Sequence, residues 1–381
     1  MNRSGHFVSN LSGILSYQSF KPSDLPPTPR IVIDDVLSKK MNEAYHLLGK
    51  LDGISRLIPN RDLFISMCVR KEALLSSQIE GTQATLDDIF DPHLEENMNL
   101  DVEEVIQYLK ALHHGNSLMQ KLPISIRFIK EIHQVLLSSS RGKEKEPGEF
   151  RRTQNWIGPQ GSSLKNAKFV PPNIHDMMES LSNLESYIHQ DDSTDSLIKI
   201  ALIHYQFETI HPFLDGNGRL GRLLISILLK HYGLLEADTL YLSYYLKRNR
   251  IEYYDRLMDV RLKGHYEAWI SFFLEGVIES SKHALNTIEA LLDLREKHLN
   301  LLTSLQGKTK QTALLLFEYI ESHPIIDIKQ ASIGIKKAFN TVSSAIETFE
   351  DFGILKQVDG NIRYRIFAYE PYLSILRDGT I

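Results

Sequence analysis

The segment His211-Pro212-Phe213-Leu214-Asp215-Gly216-Asn217-Gly218-Arg219-Leu220-Gly221-Arg222 sets an imidazole, a carboxylate, a Gly-Asn-Gly turn and two guanidinium groups side by side, and the apolar run LLISILLKHYGLL follows at once. The run predicts a helix over 219–232 that is apolar on most faces, at Leu220, Leu223, Leu224, Ile225, Ile227 and Leu228. Such a helix belongs in the middle of a helical domain. Its first turn carries backbone N–H groups with no partner inside the helix. Gly216 and Gly218 let the chain turn tightly and let a ligand come close, so this end reads as an anion site suited to phosphate.

Arg219 and Arg222, three apart, share a helix face, and a guanidinium pair beside such a nest suits a polyphosphate. Asp215 stands where one carboxylate plus phosphate oxygens would hold Mg²⁺. His211, four residues earlier in the loop, is placed to take a proton from a hydroxyl. The set reads as transfer of a phosphate-containing group from a magnesium nucleotide to a hydroxyl. Singly, each feature is more often structural: His-Pro turns loops, Gly-Asn-Gly caps helices, and paired arginines coat solvated faces. Their joint placement before a buried helix favours chemistry. No Gly-Lys-Ser/Thr follows, so this is not a P-loop, and the helical SLIKIALIHYQFETI precedes it where a dinucleotide fingerprint needs a strand.

Outward from this segment the chain is ordinary. Of its 381 residues 42% are apolar and 24% charged, with a net charge of -5, which gives no general attraction to nucleic acid or anionic membrane. The single cysteine, Cys68 in LFISMCV, excludes an internal disulfide and a cysteine-built zinc site, and reads as a buried inert thiol. MNRSGHFVSNLSGILSYQSF lacks a signal-peptide core, and the longest apolar run, Leu223 to Leu229, stops at Lys230. The expectation is a cytoplasmic protein with no membrane contact.

The pattern divides the chain into an extended segment (1–34), an N-terminal helical region (35–120), a core domain (121–280), a connecting helix (281–306) and a C-terminal unit (307–381). Residues 1–30 read as irregular, with KPSDLPPTPR extended over the surface. RDLFISMCVRKEALLSSQIE (61–80) reads as a helix closed by Gly81, and Thr85 to Asp88 as a capping box. In 139–173, TQNWIG and AKFVPP flank a Gly-Ser turn and read as a small β-hairpin projecting from the helical body. The C-terminal unit reads as three helices and a hairpin about Asp359-Gly360, a winged helix-turn-helix. The fold class expected is mainly α: a helical bundle with a small β-hairpin flap and a C-terminal winged helix-turn-helix.

At these residues the sequence resembles the Fic family, whose motif HxFx(D/E)GNGRxxR is matched at every specified position from His211 to Arg222. The likeness extends over roughly 35–280, including Gly148-Glu149-Phe150-Arg151. It implies a protein adenylyltransferase: ATP, with Mg²⁺, donates AMP to a Ser, Thr or Tyr hydroxyl of a protein target, and pyrophosphate leaves. By the same resemblance His211 would be the general base, Asp215 the Mg²⁺ ligand and Phe213 a packing residue anchoring the loop. The backbone of Gly216, Asn217 and Gly218 would cradle the α- and β-phosphates, with Asn217 adding a side-chain donor; Arg219 and Arg222 would face the distal phosphates, and Leu220, Gly221 and Glu80 complete the nucleotide-binding set. Tyr241, Tyr244 and Asn249 are candidates for the adenine side. Asn155, Trp156, Ile157 and Gly158 would form the flap that aligns the target by strand addition.

A second family signature, (S/T)xxxE(G/N), is matched by Ser76 to Gly81, and implies an inhibitory helix ahead of the core. Ser76 and Glu80 fall on one helix face. Glu80 paired with Arg222 would keep that arginine from the γ-phosphate, and holding activity down about 100-fold needs only about 2.7 kcal/mol of bias. In some relatives, the resemblance implies, this glutamate also orients a water that removes AMP from a modified protein.

Competing classes remain at this stage. Residues 307–381 carry nine Lys/Arg and nine Asp/Glu, a net charge of zero that argues against DNA binding and for target docking, dimer contact or regulation. A nucleotide-sensing winged-helix transcriptional regulator would instead show salt-sensitive duplex binding. A third reading keeps the enzyme and moves phosphate or another nucleotide, although an intact Gly-Asn-Gly-Arg-Leu-Gly-Arg favours AMP. An inhibited homodimer is the expected assembly.

Overall fold

The computed structural model describes residues 3–58, 60–159, 161–358 and 365–380. The chain opens with two strands, β1 (Gly5–Asn10) and β2 (Tyr17–Pro22). The N-terminal helices are α1 (Asp35–Leu57), α2 (Arg61–Ile79), α3 (Leu86–Ile89), α4 (Leu94–Asn97) and α5 (Leu100–Leu118). The core adds α6 (Ile126–Leu136), α7 (Ile174–His189), α8 (Ser196–Ile210), α9 (Asn217–His231), α10 (Ser243–Arg248) and α11 (Arg250–Lys263). The long α12 (Tyr266–Thr303) leads to α13 (Gly307–Ser322), β3 (Ile325–Asp327), α14 (Ile328–Gly334), α15 (Phe339–Asp351), β4 (Lys356–Gln357), β5 (Ile366–Ala368) and α16 (Glu370–Arg377).

The protein is mainly helical, as the periodicity requires, and α9 lies at its centre. Twelve of its residues, from Asn217 to Leu229, are buried, and it packs against α2, α5, α6 and α8. Its entry is set by His211 at φ 48° and Gly216 at φ 75°, two left-handed residues that turn the chain from α8 into α9 within six positions. Glycine suits the second of these, because a side chain there would be strained and its Cβ would press on Leu137 Cδ2 at 2.9 Å. The helix predicted at 61–80 is α2, which ends at Ile79 with Glu80 as its C-cap and Gly81 at φ 105°. The capping box forms, with Thr85 Oγ1 accepting from Asp88 N–H at 3.2 Å, but the helix it opens has only four residues.

Three expectations are corrected. Residues 1–30 are not irregular throughout: β1 and β2 pair antiparallel from Gly5↔Pro22 to Asn10↔Tyr17. Phe20 N–H bonds to Val170 O at 2.9 Å, so this hairpin leans on the flap arm, a long-range support that local pattern does not show. TQNWIG and AKFVPP form a single antiparallel bridge, Ile157↔Phe169, rather than strands. The boundary placed at 280 falls inside α12, which runs unbroken for 38 residues.

The C-terminal unit has a three-stranded antiparallel sheet in the order β3-β5-β4, with α13, α14 and α15 packed together beside it. The expected turn at 359–360 lies outside the described residues. The chain then returns to the body. Lys71 of α2 donates to Asp378 O at 2.5 Å, Lys247 of α10 bridges Gln78 Oε1 (2.8 Å) and Thr380 O (3.2 Å), and Arg377 pairs with Asp87 at 2.7 Å.

Helix α2 is also pinned from within. Glu72 is buried, and its carboxylate accepts from Ser243 N–H (3.0 Å), Ser243 Oγ (2.5 Å) and Tyr108 OH (3.3 Å). Burial raises the Glu72 carboxyl above its ordinary range, and these donors hold it back. Glu72→Ala leaves them unpaired and is expected to lower the unfolding free energy by roughly 2–4 kcal/mol. Glu72→Gln should cost less, and urea denaturation of both variants measures the difference.

Candidate functional site

Helix α8 is buried all round, and it delivers His211 at its C-terminal end. The loop to α9 is held from three sides. Asn217 spends both side-chain polar atoms on Phe213, its Oδ1 accepting from Phe213 N–H and its Nδ2 donating to Phe213 O, each at 2.9 Å. The side-chain donor expected there for phosphate is therefore a loop clasp. Phe213, the expected anchor, is fully buried and stacks on His133 with ring centroids 3.6 Å apart. Gly148 N–H donates to His133 Nδ1 at 2.9 Å, so Nε2 carries the proton and donates to Asp215 O at 3.0 Å. Burial lowers the His133 pKa to about 4, which keeps the ring neutral in that tautomer.

The third hold is Arg151, 1% exposed. Its guanidinium donates to Pro172 O (2.6 Å) and His211 O (3.0 Å), and its backbone N–H to Pro212 O (2.9 Å). Asn155 Nδ2 reaches His211 O (3.2 Å) and Phe213 O (3.1 Å). Asn155 thus ties the flap to the loop and is not part of its edge. Trp156 is 43% exposed, and Ile157 makes the flap's bridge.

His211 borders a cavity of about 530 Å³ together with Glu80, Glu208, Gly218 and Arg222. The opposite walls are Trp156, Ile157 and Gly158 of the flap, and Tyr254, Leu257 and Arg261 of α11. His211 Nδ1 is buried without a hydrogen-bond partner among the described residues. Burial first, then the Arg261 and Arg151 charges, lower its pKa to about 4, against the pull of Glu80. At neutral pH the ring is uncharged and able to accept a proton, and negative charge brought in by a ligand would raise its basicity.

Arg222 is 2% exposed. Its Nε donates to Ser76 Oγ (2.9 Å), and its Nη2 to Ser76 O (2.9 Å) and Glu80 Oε1 (2.6 Å). Both residues of the second signature therefore meet the last arginine of the first. Glu80 lies over Gly218, where a Cβ would collide with its Oε1. Burial works to raise the Glu80 carboxyl, but the Arg222 charge and hydrogen bond, with Arg219 and His211, outweigh it and hold the group below its ordinary range. Gly81 follows as the left-handed residue past the helix end.

Arg219 is also buried, and its Nε and Nη1 find no hydrogen-bond partner among the described residues. Its nearest carboxylates are Glu104 at 3.4 Å and Asp215 at 3.8 Å. A buried guanidinium left this way favours an anion at the α9 N-terminus. Asp215 has a side chain 49% exposed and accepts from Gly216 N–H at 2.6 Å. No group of three or more metal-ligating side chains occurs among the described residues. One half-exposed carboxylate beside the α9 N-terminus nevertheless fits a Mg²⁺ that would take its remaining ligands from a phosphate-bearing ligand and water. Leu220 is wholly buried and serves the core, and Gly221 faces Glu208.

Three candidates are not brought to the cavity. Tyr241 is buried with its hydroxyl 2.7 Å from His283 Nδ1, and the Tyr244 ring lies tilted against His283 with centroids 4.0 Å apart, so both are core contacts against α12. Asn249 bonds Tyr245 O at 3.0 Å and lines a separate open groove along α10 and α11. The aromatic side chains that line the cavity are instead Trp156, Phe169 and Tyr254. Sequence reasoning also missed His133, Glu208 and Arg261, and named Arg151 within the family likeness without giving it a role. Only Glu208 had a local signal, its place one helical turn before His211.

Residues 123–229 match the family model described as Fic/DOC family, and residues 38–117 the model described as Fic/DOC family N-terminal. A protein adenylyltransferase Fic of Drosophila grimshawi is 36% identical over 141 residues, 36% of this chain and 26% of that protein. One from Drosophila willistoni is 36% identical over 142 residues, 36% of this chain and 25% of that protein. The chain thus spans about a quarter of the length of the curated relatives it matches. Among solved structures, a Fic family protein from Desulfovibrio desulfuricans aligns with a TM-score of 0.57 at 16% identity, covering 89% of this chain and 97% of that one. Fic-1 of C. elegans aligns at 0.51 and 21% identity, covering 67% and 74%. Both likenesses are of fold. No described helix is long and apolar enough to cross a membrane.

The Glu80–Arg222 pair carries a pH signature. Its carboxyl titrates lower folded than unfolded, so its stabilisation is present above the unfolded carboxylate range and lost as pH falls through the depressed folded value. The gap in Tm between wild type and Glu80→Gln should be open at pH 7 and close as pH falls below about 4.5, measured by calorimetry.

Proposed function

The chain belongs to the Fic/DOC family, and on that footing we propose that it is a protein adenylyltransferase held inactive by its own α2. The observation that carries the reading is the Glu80–Arg222 pair lying over Gly218 in the cavity that His211 borders. The substrates are ATP and a protein with an acceptor Ser, Thr or Tyr hydroxyl. That hydroxyl oxygen attacks the α-phosphorus, its proton passes to the His211 imidazole, and the bond to the departing pyrophosphate breaks. The α9 N–H groups and Arg219 receive the α- and β-phosphates, and Arg222 the γ-phosphate. Asp215 would hold Mg²⁺, which supplies charge neutralisation on the phosphates.

Glu80 occupies the guanidinium face that the γ-phosphate would take. With Glu80 in place, ATP seats without that contact and its α-phosphorus is misaligned for in-line attack. The flap's exposed Trp156 and its Ile157 bridge offer the target an edge beside His211. We read the C-terminal unit as a winged helix that regulates and does not bind DNA. The ties from Asp378 and Thr380 to Lys71, Gln78 and Lys247 favour this, because they reach the helix that carries Glu80.

Intact mass of the purified full chain after incubation with Mg-ATP and a panel of acceptor proteins tests the reading. Glu80→Gly should raise AMP incorporation about 100-fold over wild type, and His211→Ala in that background should abolish it. Equal incorporation by wild type and Glu80→Gly would remove the inhibitory role. Removing residues 378–381 should raise wild-type incorporation and leave that of Glu80→Gly alone.

A further inference from the structure

Glu208 has no part in the chemistry above, yet it borders the same cavity, is 6% exposed, and keeps Oε1 buried without a hydrogen-bond partner. Burying a carboxyl in this way is costly unless it meets a partner in some state of the protein. Its surroundings supply one. Gly218 and Gly221, three apart on one face of α9, each leave space for a carboxylate. Glu80 fills the first space, and Glu208 fills the second, where a Cβ would come within 2.5 Å of its Oε1. Arg222 stands beside both. It gives Nε and Nη2 to Ser76 and Glu80, while Nη1 lies over Gly218, 3.0 Å from where a Cβ there would stand.

We propose that Glu208 is a positioning residue for Arg222: when Glu80 withdraws, Glu208 becomes the carboxylate that holds the guanidinium over Gly218, aimed at the distal phosphate. The inference rests on the AMP-transfer reading and names the group that keeps Arg222 competent once the inhibitory pair opens. The charged and titratable groups facing Glu208 are Arg222 from α9, Glu80 from α2, and Arg261, Tyr253 and Tyr254 from α11, with His211 at the end of its own helix. Burial first, and Glu80 in addition, raise the Glu208 pKa to about 7, against Arg222 and Arg261. Departure of Glu80 removes a like charge, so Glu208 ionises more readily at the moment Arg222 loses its partner.

The test uses the full chain with Glu80→Gly as parent. Calorimetric titration with Mg-ATP and Mg-ADP at pH 8 is compared with Glu208→Gln and Glu208→Asp in that background. Glu208→Gln should weaken ATP binding about 10-fold and leave ADP binding within about twofold, since only ATP presents a γ-phosphate to Arg222. Glu208→Asp should recover part of the loss. ATP affinity of the parent should fall as pH is lowered from 8 through 5, because without Glu80 the Glu208 carboxyl takes up its proton below the value of about 7 that it has beside that residue, and Glu208→Gln should flatten that fall. Parallel loss of ATP and ADP, unchanged ATP affinity, or tighter ATP binding would each overturn the proposal, the last by making Glu208 a second brake. A parent that incorporates no AMP but shows the ATP-specific loss upholds Glu208 and sinks the reaction assigned above.

Discussion

A guanidinium that is 2% exposed must find its counter-charge inside the protein or in a ligand, and Arg222 organises the structure on that account. It lies on a helix with twelve buried residues, so it cannot swing to solvent. Its partners come from α2, whose Ser76 supplies a hydroxyl and a carbonyl and whose Glu80 supplies the carboxylate. Docking of the N-terminal region onto the core and silencing of the proposed phosphate site are therefore one event.

The loop between α8 and α9 is fixed largely through its backbone carbonyls. Arg151 is solvated by carbonyls and not by a carboxylate, and burial lowers its pKa to about 10. His133 is locked as one tautomer between Gly148 and Asp215. Arg151 spends its hydrogen bonds on carbonyls, and its charge and that of Arg261 both depress the basicity of His211. The arrangement favours a polyanion, whose charge restores basicity where the base must act.

Much of this was legible because it is contiguous. His211 to Arg222 is a loop plus the first turns of a helix, and such a segment keeps its chemistry wherever the rest of the chain goes. The pairing of Glu80 with Arg222 was legible through the resemblance alone, since 142 positions separate the two residues. The clasp formed by His133, Arg151 and Asn155 was not legible, because each contacts backbone carbonyls or amides, and a backbone partner leaves no mark in side-chain identity. Tyr241 and Tyr244 went astray for the opposite reason: an aromatic cluster looks the same in sequence whether it faces a ligand or His283. The β1–β2 hairpin was missed because its strands are short and rest on Val170, far along the chain.

Helix α12 has a consequence of its own. At 38 residues it is about 57 Å long, and it packs against α1, α8, α11, α13 and α16 along its length. It crosses the expected domain boundary without a hinge. The C-terminal unit and α8, which ends in His211, are therefore both packed on one continuous helix.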